Sequence, residues 1–147
     1  MPEVHDRLVA YLFDDIHKGN NQIRKSVCRL LVKIFVHQHC KARREALATQ
    51  VTAELARSES FQKRKVFLQF CRESAGEMPR QAFEDHFYPA YLALCEDKVA
   101  NVRLEFARSL IDVKPFIDAN VQVNSDLIDS ITKLKKDTDR EVAEATD

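Results

Sequence analysis

Pro89-Ala-Tyr-Leu-Ala-Leu-Cys-Glu-Asp97-Lys-Val-Ala-Asn-Val102-Arg103 is the stretch whose reading decides the fold. It begins as an apolar helical segment, turns a polar corner at Asp97-Lys98, and re-enters a helical pattern at Val102-Arg103. Parts of it recur along the chain. Ile23-Arg24 matches Val102-Arg103, Lys63-Arg64 falls between them, and Asp137 followed by Glu141-Val142 comes last. Arg24, Arg64 and Arg103 are spaced by 40 and 39 residues, and Val142 stands 40 residues after Val102. A period near forty residues predicts an array of two-helix units. One such pair has too large an apolar face to bury alone, so units stack and share a continuous core.

Proline, then aspartate eight residues on, then Val-Arg at thirteen and fourteen, is similar to the HEAT-repeat pattern, and Pro89, Asp97, Val102 and Arg103 fill all four places. The other repeats depart from it. The first keeps Ile23 and Arg24, the second Arg64, the fourth Asp137 and Val142, and none of these three has the proline. The run from Asp97 to Arg103, with Phe106-Ala-Arg-Ser-Leu110 and Pro115-Phe-Ile-Asp118, further resembles the C-terminal repeats of scaffold and regulatory subunits of type-2A-like protein phosphatases (phosphatases 2A and 4). That similarity runs from about Ser58 to the end of the chain. The resemblance implies an all-α, armadillo-like fold: a right-handed α-α superhelix, or HEAT-repeat solenoid, of about three and a half helical pairs.

Composition agrees with helices. The 147 residues include two Gly and four Pro, too few for a turn-rich sheet fold, and the apolar share of 45% is that of a globular protein. The 23 basic and 23 acidic residues cancel, so the total does not indicate a strongly basic polymer binder. Their distribution is uneven. Lys18 to Arg44 holds eight Lys or Arg and no acid, whereas from Asp126 to Asp147 acids outnumber bases seven to four. Cys28, Cys40, Cys71 and Cys95 form no CxxC pair and follow no secretory signal. Free thiols in a reducing compartment, cytosolic or nuclear, are expected. No apolar run approaches the roughly 20 residues of a membrane span.

The chain reads as one domain over 1–147, with repeats at about 3–38, 41–75, 80–117 and 125–147. The first helix presents Val4, Leu8, Leu12 and Ile16. Gly19 suits a left-handed position after it, and an Asn can cap the second helix, which is apolar on most sides and expected to pack on two. Leu47, Val51 and Leu55 form the third stripe. Ser60 is the expected cap of the fourth helix, whose inward residues are Val66, Phe67, Phe70 and Cys71. Phe83, Phe87, Tyr91 and Leu94 line a fifth helix that Pro89 should kink. The sixth buries Val102, Phe106, Leu110 and Val113, and Pro115 ends or bends it. A loop over 118–124 precedes Ser125 as cap of the seventh, with Leu127, Ile128, Ile131 and Leu134 inward. An eighth begins at Arg140 but holds only about two turns. A solenoid normally finishes on a capping repeat with a polar outer face, so the expectation is a fragment or the end of a longer array.

No Gly-rich phosphate loop, G-x-S-x-G or H-E-x-x-H is present, and neither an enzyme nor a cofactor is expected. His37-Gln-His39-Cys40 groups metal-ligand types but lacks a second pair at finger spacing, which favours a frayed helix end over zinc. Asp97 and Arg103 are the sharpest polar residues. Their structural reading is a ladder, in which aspartate caps a turn and arginine reaches the aspartate of a neighbouring repeat. Arg24, Arg64 and Asp137 would continue it. The functional reading is a row of corners facing a partner. The phosphatase resemblance implies that the turns within repeats hold a serine/threonine phosphatase catalytic subunit, which places Glu59 and Ser60, Lys98, Val99 and Ala100, and Thr138 and Arg140 at the contact. The leading expectation is therefore a non-catalytic protein-binding scaffold, a phosphatase regulator. The alternative, from the basic stretch Arg24–Arg44, is a nucleic-acid-binding helical module. That stretch also reads as a solvated face or a site for an acidic protein surface.

Overall fold

In the computed structural model of this chain, the described residues are 2–118 and 121–146, with side chains over 3–118 and 125–146. Every regular element among them is helical. In order these are α1 (Pro2–Lys18), α2 (Asn21–His37), α3 (Lys41–Val51) continued by a π-helical turn (Thr52–Ala56), and α4 (Phe61–Ser74). Then come α5 (Arg80–His86), α6 (Tyr88–Ala93) with a 3-10 turn (Leu94–Glu96), α7 (Ala100–Ile117), α8 (Val121–Lys135) and α9 (Arg140–Ala145).

The helices form two ranks. α2 packs on α4, α4 on α7 and α7 on α9, so every second segment meets its equivalent about forty residues on. α1 lies against α2, the π turn after α3 against α4, the 3-10 turn after α6 against α7, and α8 against α7 and α9. One hydrophobic cluster runs from Val9 to Val142 through this stack.

An aromatic chain ties the units together. Phe35 of α2 meets Phe87 edge-on at 5.2 Å, Phe87 meets Phe70 of α4 at 4.9 Å, and Tyr91 meets Phe106 of α7 at 4.6 Å. The Phe35–Phe87 and Phe87–Phe70 pairs are edge-to-face, a geometry that adds to the burial of each ring, and the Tyr91–Phe106 pair is tilted. Tyr91 is fully buried, and its hydroxyl is satisfied at 2.7 Å by the Ser109 hydroxyl, which donates to the Phe106 carbonyl at 2.6 Å. A buried hydroxyl without such a partner would be destabilising.

Several local expectations are corrected. In α1 the buried face is Val9, Leu12, Phe13 and Ile16, while Val4 and Leu8 are exposed. A four-residue step slides around a helix, so Val4 and Leu8 leave the face that Leu12 and Ile16 share. α2 packs on two sides as expected, against α1 and α4, but it is not buried all round: Ile23 and Leu30 are exposed. Gly19 is not left-handed; that conformation belongs to Gly76, with φ 86°. Gly19 is needed for space, since a Cβ there would sit 2.7 Å from the Asp15 carbonyl and from Ile23 Cγ2. Asn20 caps α2, accepting the Ile23 N–H at 3.0 Å.

Pro89 kinks the fifth helix as expected, with i to i−4 bonds kept on either side (Phe87 N–H to the Phe83 carbonyl and Tyr91 N–H to the Phe87 carbonyl, both 2.9 Å). The backbone leaves helical geometry at Phe87 (φ −122°, ψ −26°), giving two short helices, because the ring lacks an N–H and crowds the carbonyl four residues back. Pro115, by contrast, lies inside α7, which runs on to Ile117. The loop expected over 118–124 is shorter, because α8 starts at Val121; Ala119 and Asn120 lie outside the described residues. Ser125 therefore sits inside α8 and does not cap it. Ile128 is exposed, and Ser130 is buried between Leu127 and Leu134 instead. No helix is long and apolar enough to cross a membrane among the described residues.

Candidate functional site

The corners joining outer to inner helices share one construction. Arg64, four residues into α4, places Nη1 on the carbonyls of Ser58 and Glu59 at 2.9 and 3.1 Å, which fastens the turn before its own helix. Its Nε and Nη2 reach Asp97 at 2.6 and 3.1 Å, a two-pronged ion pair to the next corner. Asp97 in turn accepts the Val99 N–H at 2.8 Å.

The pattern repeats one unit on. Arg103 holds the Asp97 carbonyl at 2.7 Å and pairs with Asp137 at 2.7 and 3.1 Å, while Asp137 accepts the Asp139 N–H at 2.9 Å. Each rung thus clamps two corners. The Arg64 and Asp97 side chains are 8% and 6% exposed, and those of Arg103 and Asp137 are 17% and 10%. The Arg103 bond holds the Asp137 carboxyl below the usual carboxylate range against the opposing effect of burial, helped by the Asp139 N–H; Arg103 itself is raised, chiefly by that same bond.

Arg24 stands at the same register but makes no rung. Its Nε donates to the Ile16 carbonyl at 3.2 Å, and it meets no carboxylate among the described residues. The reason is Ser58. Like Asp97, Ser58 gives its carbonyl to the arginine six residues on, and its side-chain oxygen accepts the N–H two residues on, that of Ser60, at 3.1 Å. Ser58 therefore fills the aspartate position of the second corner with a hydroxyl too short to reach a neighbouring guanidinium. The spacing of Ser58, Asp97 and Asp137 carries this signal in the sequence, but a serine lacks the charge that marks the other two. Ser60, the expected cap, makes no side-chain cap bond.

Glu59, Ser60, Lys98, Thr138 and Arg140 are exposed at the corners. Val99 and Ala100 are half-buried: Val99 packs against the core, and its carbonyl accepts the Val102 and Arg103 N–H groups. Arg140 is engaged by Glu144 at 2.7 Å, and α9 is capped by Asp139. A strap missed in the sequence joins Lys133 of α8 to Glu96 at 2.6 Å beside the third corner, raising the lysine and lowering the carboxyl through their hydrogen bond. Both are exposed, so this strap adds little stability.

Other candidate chemistry separates. No group of three His, Cys, Asp or Glu that could hold a metal is found among the described residues; His37, His39 and Cys40 lie exposed at the end of α2 and the turn after it. Burial pushes the Cys28 thiol up to about 12 and raises Cys71 and Cys95, so these three behave as core. Cys40 is exposed, and its thiol is lowered, chiefly by the Arg43 N–H. No protein-family model, curated protein or solved structure matches this chain.

Proposed function

We propose that this chain is a HEAT-type solenoid segment and a non-catalytic scaffold, whose corners engage a type-2A-like serine/threonine phosphatase catalytic subunit or its partners. The observation that carries the reading is the repeated rung. Arg64–Asp97 and Arg103–Asp137 hold successive corners at a fixed register, so Glu59, Lys98 and Thr138 stand exposed along one row. A rigid row of corners offers a preorganised surface, and preorganisation lowers the entropy lost on association. The right-handed superhelix and the phosphatase partner rest on the resemblance around Asp97–Arg103.

The basic stretch gives the nucleic-acid alternative less support. Arg44 is turned onto the Gln38 carbonyl, Arg29 pairs with Glu73 and Lys41 with Glu45, so much of this stretch is engaged locally rather than gathered on one groove. The scaffold reading is tested by equilibrium binding of the purified chain to a type-2A-like catalytic subunit. Binding is expected, and Lys98→Glu should weaken it about tenfold, as reversal of an exposed interfacial charge does. A folded chain that does not bind the catalytic subunit overturns the reading.

A further inference from the structure

The inner rank carries a second surface, away from the corners. A groove of about 300 Å³ crosses α2, α4 and α7 and is lined by Gln22, Arg24, Lys25, Gln62, Lys65 and Glu105 among others. Further along the same rank, charges cancel across helices: Arg29 meets Glu73 at 3.2 Å and Arg72 meets Asp112 at 2.7 Å. Within the groove they do not. Lys25 and Lys65 stand one repeat apart and have no ion-pair partner among the described residues, and Arg24 lacks the carboxylate that its ladder register would give it. Gln22 and Gln62, also one repeat apart, make no bond within the chain among the described residues. Glu105, at the α7 side, is matched by Arg108 at 3.0 Å.

We propose that this groove binds an extended acidic peptide segment of a partner protein. Side-chain amides can both donate to and accept from a peptide backbone, which has one N–H and one C=O per residue. Neighbouring helices lie about 8–10 Å apart, and alternate residues of an extended chain about 7 Å apart, so flexible lysines on α2 and α4 reach successive acids on one side of a strand. Glu105 sets the direction, with acids over α2 and α4 and a neutral or basic residue over α7. Among the described residues no aromatic ring lines the groove, so they offer no stacking platform of the kind on which single-stranded nucleic acids rely.

The test uses fluorescence anisotropy with a labelled Gly-Glu-Glu-Glu-Glu-Gly peptide and its all-Gln analogue, at low ionic strength. The acidic peptide should bind and the Gln peptide should not, with affinity falling as salt rises. Lys25→Glu with Lys65→Glu should weaken binding about tenfold. Lys33→Glu with Lys135→Glu, which changes net charge equally outside the groove, should change it less than about twofold, circular dichroism verifying the fold of both. Equal loss in the two double variants, equal binding of the Glu and Gln peptides, or tighter binding of a single-stranded oligonucleotide of equal charge overturns the proposal. Because the variants avoid the corners, failure here leaves the phosphatase reading standing, and the reverse also holds.

Discussion

Arg24 and Arg64 occupy one register, forty residues apart, and end differently. Arg64 is buried, holds two carbonyls of its own corner and grips the carboxylate of the next. Arg24 is half-exposed and rests on one carbonyl. The same residue type therefore serves as a cross-unit clamp or as a local tie, and the residue one repeat downstream decides which. The contrast extends to packing. α4 and α7 are each covered by the inner helix before them, whereas α2 leaves Ile23 and Leu30 exposed, about half a turn round from Cys28, whose thiol touches the Val66 carbonyl of α4 at 3.5 Å.

The sharpest way to break the contrast is to truncate both arginines. Arg64→Ala strands the buried Asp97 and two carbonyls and should cost about 3–5 kcal/mol, while Arg24→Ala should cost about 1 kcal/mol or less, both read from urea midpoints. Equal losses would mean that the rung contributes nothing beyond its local bonds. Truncating Phe70, fully buried and edge-on to Phe87, should also cost about 3–5 kcal/mol, against about 0.5 kcal/mol for Leu30→Ala at the equivalent place on α2.

Acid gives a smaller, reversible perturbation. The depressed Asp137 carboxyl contributes its rung fully above the unfolded-state value of about 3.9, and that contribution is lost as pH falls through the lower folded-state value. Over that window the unfolded chain binds more protons, so stability rises with pH. Asp137→Asn should be less stable at neutral pH and show a shallower acid limb; an unchanged limb would remove Asp137 as a contributor. The smallest effect is a gain. Ser58→Asp puts a carboxylate where Asp97 and Asp137 stand, and should stabilise by about 1 kcal/mol through Arg24. The double-mutant cycle with Arg24→Ala should abolish the gain.

Much of this was legible in the sequence because the forty-residue period fixed which residues face one another. The inner stripe Val66, Phe67, Phe70 and Cys71, and that of α7, follow directly from it. What escaped depends on neighbours rather than on pattern. Leu30 and Val4 look like core until their exposure in the folded chain is seen. Gly19 looks like a left-handed cap until the Ile23 side chain is placed. Ser58 looks like an ordinary turn serine until its carbonyl and hydroxyl bonds are compared with those of Asp97. The groove at Lys25 and Lys65 was hidden inside a basic run, since pairing with Glu73 and Glu45 removes other members from play and sequence spacing does not show which.

The placement of Tyr91 has a spectroscopic consequence. The chain has no tryptophan and three tyrosines, of which Tyr88 and Tyr91 are buried together in α6 and Tyr11 is exposed on α1. Near-ultraviolet signals of packing therefore report on the third helical pair, while far-ultraviolet ellipticity averages over all of them. In a stack whose units touch only their neighbours, fraying from either end lowers the second signal before the first, and a single coincident transition shows that the whole stack lets go at once.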